Sequence, residues 1–217
     1  MHAPPLYAIV DAEIAAASGW TVQALARAYL EGGVRLLQIR AKRAGSAAWL
    51  AMCEELVASA RSFGATVIVN DRADLAMLAG ADGVHVGQED LAPRDVRRAF
   101  PGIGLVGLST HTAAQIDLAV REPVDYLAVG PVFRTGTKET GYDEVGLALV
   151  RRAREAVTAR SGLGGPPLPV VAIGGITLER APAVIAAGAT SVAVISDLLA
   201  GGDPAARVGA YLAALAR

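Results

Sequence analysis

The feature that most constrains the fold of this chain is an alternation of short aliphatic runs with helix-like segments, repeated about eight times. The runs are rich in Val, Leu, Ile and Ala and show no regular polar alternation, which is typical of parallel strands buried on both faces. The predicted strands are Leu6–Val10, Val34–Ile39, Thr66–Asn70, Gly83–Val86, Leu105–Ser109, Asp125–Gly130, Pro169–Ile173 and Ser191–Ser196. Parallel strands need a crossover between them, and the intervening helices would supply it.

The segments between the runs carry apolar residues at three- and four-residue spacing, with charged residues on the other face, which indicates amphipathic helices. The predicted helices are Val22–Glu31, Ala47–Ser62, Arg72–Leu78, Arg94–Phe100, Ala113–Val120, Val145–Arg160, Leu178–Ala187 and Pro204–Leu215. Thr21 and Ser46 precede helical segments and are predicted N-caps, whereas Gly188 is predicted to end a helix.

About eight strand–helix units predict an α/β fold, a closed (β/α)₈ TIM barrel, as a single domain over residues 1–217. A length of 217 residues suits one barrel. The chain is 53% hydrophobic but only 5% aromatic, so the core must consist mainly of aliphatic side chains. An open doubly wound sheet is the alternative; it is disfavoured because no G-x-G-x-x-G follows Val10 and because polar residues follow nearly every strand.

The charge, the apolar runs and the cysteine content of the chain argue against several classes of protein. The net charge is −1 and no basic run is present, which disfavours nucleic-acid binding. The first apolar run stops at Asp11, and no segment is long enough to cross a bilayer without a charge or a Gly/Pro break, so we expect neither a signal peptide nor a membrane span. The single cysteine, Cys53, lies in a helical segment where we expect it to be structural. One cysteine permits no internal disulfide, which agrees with a cytoplasmic location.

Polar residues directly follow the predicted strands, and in a barrel these strand ends meet at one mouth. Gln38, Arg40 and Lys42 alternate onto one side at the end of the second strand, and Lys138 follows the sixth. A local excess of positive charge in a nearly neutral chain indicates an anionic ligand, because Arg can bind phosphate oxygens through two parallel hydrogen bonds. Solvated salt bridges are the alternative for these residues.

Two carboxylates are predicted at the same mouth. Asp71 and Asp90 could act as general acid and base or could hold a hard cation. Mg²⁺ usually takes one or two carboxylates together with substrate phosphates, which fits this mixture of charges. No His/Cys cluster at zinc spacing is present. The alternative for Asp90 is a role in starting the next helix.

Gly174-Gly175, after the seventh strand, predict a phosphate site, because glycine lets backbone N–H groups approach a ligand and the turn is expected to open a helix. A simple tight turn is the alternative. His85 is expected to be a hydrogen-bonded structural residue, and His111 follows Ser109 too closely for a hydrolase dyad. Two phosphate-type sites, one with a metal, indicate the joining or exchange of two phosphorylated small molecules.

Seven segments, in this order, resemble the thiamine phosphate synthase family: QIRAK, VNDRADLA, ADGVHVGQEDL, GLSTHT, DYLAVGPVFRTGTK, VVAIGGI and ATSVAVISDL. The resemblance extends from about Leu6 to Leu198. It implies a Mg²⁺-dependent transfer of the 4-amino-2-methyl-5-pyrimidinylmethyl group from its diphosphate to the ring nitrogen of thiazole phosphate, through a dissociative step with a pyrimidine carbocation. The implied partners are two phosphorylated small molecules, and the resemblance is compatible with a homodimer.

The resemblance also implies a role for each matching residue. The residues expected to hold the pyrimidine diphosphate are Gln38, on the pyrimidine, and Arg40, Lys42, Asn70, Ser109 and Lys138, on the diphosphate. Of these, Arg40, Ser109 and Lys138 are expected to act in catalysis. Asp71 and Asp90 would bind Mg²⁺. The residues expected to receive thiazole phosphate are Thr135, Thr137, Gly175, Ile195 and Ser196.

One loop departs from the family pattern. Between Lys138 and the next helix this chain has an added Gly141 and lacks a proline that the family often carries. The loop Pro131–Glu144 is rich in Gly, Thr and charged residues and is a candidate lid.

Three alternative functions stay open. A thiazole tautomerase of the same family would share the fold and the thiazole phosphate pocket but tends to lack the metal and diphosphate residues, which this chain has. A non-catalytic thiazole-phosphate-binding relative would lack the metal ligands. A phosphosugar isomerase or epimerase would need an acid–base pair but no Mg²⁺-diphosphate side.

Overall fold

The computed structural model describes residues 3–136, 142–162, 164 and 168–216, and its eight parallel strands close into a barrel in sequence order. The strands are β1 (Leu6–Asp11), β2 (Leu36–Arg40), β3 (Thr66–Asn70), β4 (Gly83–Val86), β5 (Leu105–Thr110), β6 (Tyr126–Val129), β7 (Val170–Ile173) and β8 (Ser191–Val194). Pairing of β1 with β8 completes the ring, as in Ala8 beside Val194. The predicted (β/α)₈ barrel is therefore confirmed, and the open doubly wound alternative is excluded.

Helices follow the strands and cover the outside of the barrel. They are α1 (Ala12–Ala17), α2 (Val22–Glu31), α3 (Ser46–Arg61), α4 (Ala73–Leu78), α5 (Pro93–Ala99), α6 (Ala113–Ala119), α7 (Gly146–Gly162), α8 (Ala181–Ala186) and α9 (Pro204–Leu215), and a 3₁₀ helix spans Ser196–Leu199. In the described part of the chain, no helix is both long and apolar enough to cross a membrane.

Helix α1 was not predicted, because Glu13 is its one polar residue and the segment shows no polar face opposite an apolar one. Asp11 starts it by accepting hydrogen bonds from the backbone N–H groups of Glu13 and Ile14 through Oδ1. Thr21 is the N-cap of α2, as predicted, with Oγ1 accepting from Ala24 N at 3.1 Å.

The predicted N-cap of α3 and the predicted start of α8 are wrong. Gly45 rather than Ser46 is the N-cap of α3: Ser46 is the first helical residue, and its hydroxyl accepts a hydrogen bond from Arg72. Helix α8 begins at Ala181 rather than Leu178, and three turn residues come before it. At the other end of α8, Gly188 has a positive φ of 111° and ends the helix as predicted.

The strands divide the core into two parts. One set of strand side chains packs outward against the helices, as Ala8 and Val10 do, and the helical Cys53 is buried in this layer as expected. The alternate set fills the barrel interior: Tyr7, Ile9, Leu36, Ile68, Tyr126, Ala128, Val171, Ala193 and Ile195. Gly107 of β5 makes room for this inner layer, since a Cβ there would lie 2.0 Å from the ring of Tyr126.

Candidate active site

A cavity of about 670 Å³ opens at the carboxyl ends of the strands. Since the ring has eight strands in sequence order, β3 and β4 lie across the cavity from β7 and β8. The predicted site residues that line it are Arg40, Lys42, Asn70, Asp71, Asp90, Ser109, Thr135, Gly175, Ile195 and Ser196. Gln38 lies deeper, inside the barrel, and Thr137 and Lys138 lie outside the described residues.

The two predicted metal ligands lie together on the β3–β4 side. Lys42 Nζ lies 2.5 Å from Asp71 Oδ2. Burial raises the pKa of Asp90; the backbone N–H of Gly87, which donates to Asp90 Oδ2 at 2.7 Å, lowers it, and the adjacent Asp71 carboxylate raises it. Two neighbouring carboxylates repel one another, and a bound cation would relieve that repulsion.

Asp71 has an unusual backbone conformation. It is the one non-glycine residue with a positive φ, 64°, among the residues that the structure describes. Its backbone N–H donates to the carbonyl oxygen of His85 at 2.7 Å, which ties the end of β3 to β4. Asp and Asn tolerate this left-handed conformation better than other residues with a Cβ.

Asp90 does not start a helix, so that alternative is wrong. Helix α5 begins at Pro93, and its N-cap is Ala92, which has no side-chain hydrogen bond to the helix. The carboxylate of Asp90 instead binds back to Gly87, at the end of β4. This bond holds the carboxylate at the rim of the cavity, beside Asp71.

Arg40 is paired with a residue that sequence reasoning missed. Its Nη1 forms a short ion pair with Asp11 Oδ2 at the end of β1, and Asp11 is almost fully buried. The two residues are hydrogen-bonded neighbours across β1 and β2, with Asp11 level with Arg40 in the register. A guanidinium has five N–H donors, so this bond orients Arg40 and still leaves donors for an anion.

A buried chain of hydrogen bonds crosses the barrel interior beneath the cavity. Gln38 Nε2 donates to Tyr7 Oη at 2.9 Å, and Tyr7 Oη lies 3.0 Å from Tyr126 Oη. His85 Nδ1 lies 3.0 Å from Tyr126 Oη, and His85 Nε2 lies 2.8 Å from Ser109 Oγ. Sequence reasoning missed both tyrosines; the signal available was a polar aromatic residue at an inward position of a strand.

The partner of Ser109 is therefore His85, while His111 bonds to the carbonyl oxygen of Gly130. His85 is hydrogen-bonded at both ring nitrogens, as expected for a structural histidine, but it also lines the cavity. In a hydrolase triad a carboxylate orients the histidine. Here a tyrosine hydroxyl occupies that place, so the geometry does not match a serine hydrolase.

Gly174 and Gly175 form the opposite side of the cavity, with positive φ values of 102° and 60°. A Cβ at Gly174 would lie 2.5 Å from Pro131 Cα, and one at Gly175 would lie 2.6 Å from the carbonyl oxygen of Arg134. The expectation that this pair opens a helix is wrong, because turns separate it from α8. The close approach of the two backbones explains why both positions require glycine.

Arginines that sequence reasoning did not single out add positive charge on this side. Arg134 and Arg180 both line the cavity. Arg180 donates to the carbonyl oxygen of Gly175 at 2.9 Å, and its guanidinium lies 4.7 Å from the centre of the Phe133 ring. The β7 side of the cavity therefore combines glycine turns with two cations, which suits an anionic group.

Asp197 organises the loop after β8, and sequence reasoning missed it. Its Oδ2 accepts from Arg207 Nη2 at 2.8 Å, from Tyr211 Oη at 2.6 Å and from Leu178 N at 3.2 Å. These bonds join the 3₁₀ helix that begins at Ser196 to the β7 loop and to α9. Ser196 was predicted to end a strand, but β8 stops at Val194, so Ser196 lies on this braced turn.

The two ends of the predicted lid are joined to each other. Val145 N donates to the carbonyl oxygen of Pro131 at 2.8 Å, and Arg134 N donates to Glu144 Oε2 at 2.9 Å. Tyr142 stacks on His111 with ring centres 4.0 Å apart. Residues 137–141, which include the added glycine, lie outside the described part of the chain, so lid closure stays a prediction.

Comparisons with known proteins agree with the fold. The family model described as thiamine monophosphate synthase matches residues 6–198. The chain is 43% identical over 211 residues to a thiamine-phosphate synthase of Koribacter versatilis, covering 96% of this chain and 94% of the relative. It is also 43% identical to one from Thermus thermophilus, covering 86% of each protein. A solved thiamine phosphate pyrophosphorylase from Pyrococcus furiosus superposes with a TM-score of 0.84 at 26% identity, covering 98% of this chain and 96% of that one.

Proposed function

The chain belongs to the thiamine monophosphate synthase family, and from that premise we propose that it joins 4-amino-2-methyl-5-pyrimidinylmethyl diphosphate to thiazole phosphate. The observation that carries the proposal is one cavity with charged side chains on one side and a glycine turn on the opposite side. Lys42, Asp71 and Asp90 lie on one side, and the Gly174–Gly175 turn with Ser196 lies across the barrel. Such a cavity suits two phosphorylated ligands that must meet between its sides.

In the proposed reaction the bond between the pyrimidinyl methylene carbon and the diphosphate oxygen breaks, and its electron pair leaves with pyrophosphate. The lone pair of the thiazole ring nitrogen then forms the new carbon–nitrogen bond. Positioning the two substrates and stabilising the charge of the leaving group supply the catalysis, and no covalent bond to the enzyme forms. The product is thiamine phosphate.

On the diphosphate side, Arg40, Lys42 and Lys138 would bind the phosphate oxygens. Asn70 Nδ2 is buried and has no hydrogen-bond acceptor among the described residues, and a diphosphate oxygen would supply one. Ser109, at the end of the buried hydrogen-bond chain, would donate to the same group. These are the groups that stabilise the departing pyrophosphate.

Gln38 would contact the pyrimidine. Its amide nitrogen is bonded to Tyr7, while its Oε1 is buried and has no donor among the described residues. The exocyclic amine of the pyrimidine is such a donor. A buried carbonyl without a partner is costly, so a ligand that satisfies it would gain affinity.

Mg²⁺ is the proposed cofactor, and the residues present fit it. Asp71 and Asp90 offer hard carboxylate oxygens beside the proposed diphosphate site, which is the donor set that Mg²⁺ takes in company with substrate phosphates. When bound, the ion would neutralise negative charge on the diphosphate. Lys42, which pairs with Asp71, would contact the same charges from the β2 side.

Thiazole phosphate would bind on the β7–β8 side. The residues proposed for it are Thr135, Thr137, Gly175, Ile195 and Ser196. The hydrogen bonds of Asp197 hold Ser196 and the β7 loop in a fixed relation, and Arg134 and Arg180 add positive charge. A preorganised turn with nearby cations lowers the cost of ordering an anion.

A direct assay tests the proposed function. The full chain is mixed with Mg²⁺, the pyrimidine diphosphate and thiazole phosphate, and thiamine phosphate is detected by oxidation to a fluorescent thiochrome. We expect product only when both substrates and Mg²⁺ are present. Turnover that persists unchanged in excess EDTA would contradict the metal assignment.

A matched pair of variants sharpens the assay. Asp90→Asn removes a proposed metal ligand and should lower Mg²⁺-dependent turnover by orders of magnitude. Asp95→Asn removes a carboxylate that pairs with Arg98 and does not line the cavity, and it should leave turnover unchanged. Equal activity of the two variants would refute the assignment of Asp90.

Thiazole tautomerisation is the second candidate, because that reaction would use the β7–β8 side alone. The adjacent carboxylates on the β3–β4 side favour the synthase. A folded protein that makes no thiamine phosphate but isomerises a thiazole phosphate tautomer would reverse this preference.

A further inference from the structure

The buried chain of hydrogen bonds from Gln38 to Ser109 has no role in the proposed chemistry except at its two ends. Its middle members are buried: Tyr7 and Tyr126 have 1% and 0% of their surfaces exposed, and His85 has 8%. Only His85 and Ser109 reach the cavity. A continuous polar chain through an aliphatic core is costly unless every member is satisfied, so its hydrogen bonds must run in a consistent order.

With the Gln38 amide oriented so that Nε2 donates to Tyr7, the order follows from the number of protons that each group carries. Gln38 Nε2 can only donate, so Tyr7 Oη accepts from it and has one proton left for Tyr126. Tyr126 Oη accepts that proton and donates its own to His85 Nδ1. A neutral imidazole that accepts at Nδ1 carries its proton on Nε2, which then donates to Ser109 Oγ.

We propose that Tyr126, acting through His85, is a positioning residue: it holds His85 with its proton on Nε2 and thereby leaves the Ser109 hydroxyl proton directed at the ligand. The proposal rests on the proposed function, in which that ligand is a diphosphate. A serine that receives a hydrogen bond from its histidine has its own proton available for an anion. Ser109 then acts as a donor at the site where negative charge develops.

With the same orientation of the Gln38 amide, the opposite order is less favourable. If Ser109 donated to His85 Nε2, its oxygen lone pairs would face the diphosphate and repel it. His85 Nδ1–H would then donate to Tyr126, and Tyr7 would receive donors from both sides while its own buried proton had no acceptor. Burial raises the pKa of both tyrosines, so both hydroxyls stay protonated and act as donors.

Gln38 lies beneath the cavity rather than on its wall, and a pyrimidine that enters below the rim would connect the chain to the substrate. The amide orientation that donates to Tyr7 leaves Oε1 buried without a donor among the described residues. The exocyclic amine of the pyrimidine would donate to this oxygen and so stabilise the orientation that sets the order of the chain. Binding of the pyrimidine at one end would thus favour the donor state of Ser109 at the other.

The first measurement is the tautomer of His85 in the full chain, labelled with ¹⁵N-histidine and observed by long-range ¹H–¹⁵N NMR near pH 8. The chain has only three histidines, and loss of one signal set in His85→Gln assigns the residue. We expect the Nε2–H form in the native protein. A native His85 with its proton on Nδ1 would overturn the proposal at once.

The second measurement compares tyrosine variants. Tyr126→Phe removes the donor to Nδ1, so His85 should become a mixture of tautomers, and kcat/KM for the pyrimidine diphosphate should fall about tenfold, the effect of losing one hydrogen bond in the transition state. The KM for thiazole phosphate should stay within about twofold, since the substitution acts on Ser109, which is proposed to bind the diphosphate. Tyr7→Phe acts one bond further away and should give a smaller change of the same kind.

Tyr29→Phe is the matched control. Tyr29 is fully buried in α2, its hydroxyl has no hydrogen-bond partner in the described structure, and it does not line the cavity. Its removal should alter neither the tautomer nor the kinetics. A Tyr126→Phe protein that matches Tyr29→Phe in both measurements would refute the positioning role.

A measurement of pyrophosphate binding separates failure of this proposal from failure of the proposed function. Affinity for inorganic pyrophosphate with Mg²⁺, measured by calorimetry, should be weaker in Tyr126→Phe than in Tyr29→Phe; equal affinities would count against a donor role of Ser109. A protein that makes no thiamine phosphate would refute the proposed function, while the tautomer and the pyrophosphate affinity would still decide this proposal. If Tyr126→Phe does not fold, the native tautomer and Tyr7→Phe supply the decision.

Discussion

Because the backbone of Asp71 is left-handed, different substitutions at this position should lower the free energy of unfolding by different amounts. Asp71 has φ 64°, and its N–H is bonded to the β4 carbonyl of His85, so the conformation is held by the barrel. Asn adopts left-handed backbone conformations with little strain, whereas Ala does so at a cost of about 1–2 kcal/mol. Asp71→Asn and Asp71→Ala both remove the carboxylate, but only Ala adds this backbone cost.

The electrostatic contributions at Asp71 are smaller and oppose one another. The Lys42 side chain is 51% exposed, so loss of its ion pair with Asp71 costs about 0–1 kcal/mol. Loss of the Asp71 charge also removes a repulsion that raises the pKa of Asp90, which offsets part of that cost. We therefore expect Asp71→Asn within about 1 kcal/mol of the native protein, and Asp71→Ala about 1–2 kcal/mol less stable than Asp71→Asn.

Urea unfolding of the three proteins without Mg²⁺, followed by circular dichroism, measures these differences. The slopes of the transitions should be equal, so that the midpoints report stability. Equal stability of Asp71→Asn and Asp71→Ala would refute the assigned backbone strain. Both variants should nevertheless lose Mg²⁺-dependent turnover to a similar extent, because the missing carboxylate, rather than the fold, limits the reaction.

Three further predictions test other parts of the molecule. Ser196→Ala should raise the KM for thiazole phosphate about tenfold or more and leave the KM for the pyrimidine diphosphate within about twofold; equal effects on the two substrates would mean that the two sides are misassigned. Gly174→Ala should lower the free energy of unfolding in urea by about 2 kcal/mol or more, since φ is 102° and the new Cβ would meet Pro131 at 2.5 Å; native stability would contradict this. Burial raises the pKa of the Cys53 thiol to about 12, so DTNB should label it at pH 8 only after denaturation; rapid labelling of the native protein would exclude the buried position.

Much of the fold could be predicted because its signals are local. Eight aliphatic runs without polar alternation indicate buried parallel strands, and Thr21 identifies a helix start from one side chain. Helix α1 was missed because Glu13 is the one polar residue among its six, so no polar face contrasts with an apolar one. Ser46 misled the prediction because Gly45 already has the extended backbone that an N-cap requires.

The candidate site was predictable as a list of residues but not as a set of contacts. Asp71, Asp90 and Ser196 follow strands in the sequence and Ser109 lies near the end of β5. The strand ends of a barrel share one mouth, so their common location could be inferred. Family resemblance assigned roles to them. The bracing residue Asp197 was missed, since its carboxylate is explained only by partners on two other elements.

The barrel, its order of elements and the charged strand ends are predictable from the sequence, because the apolar period and the polar strand ends are properties of neighbouring residues. Which side chains meet inside depends on the folded chain: Tyr7 and Tyr126 touch across 119 residues, and Arg40 pairs with Asp11 across 29. Such pairings depend on strand register and on closure of the ring. A one-residue slip in register would turn every inward side chain outward, and no local pattern in the sequence specifies the partner strand.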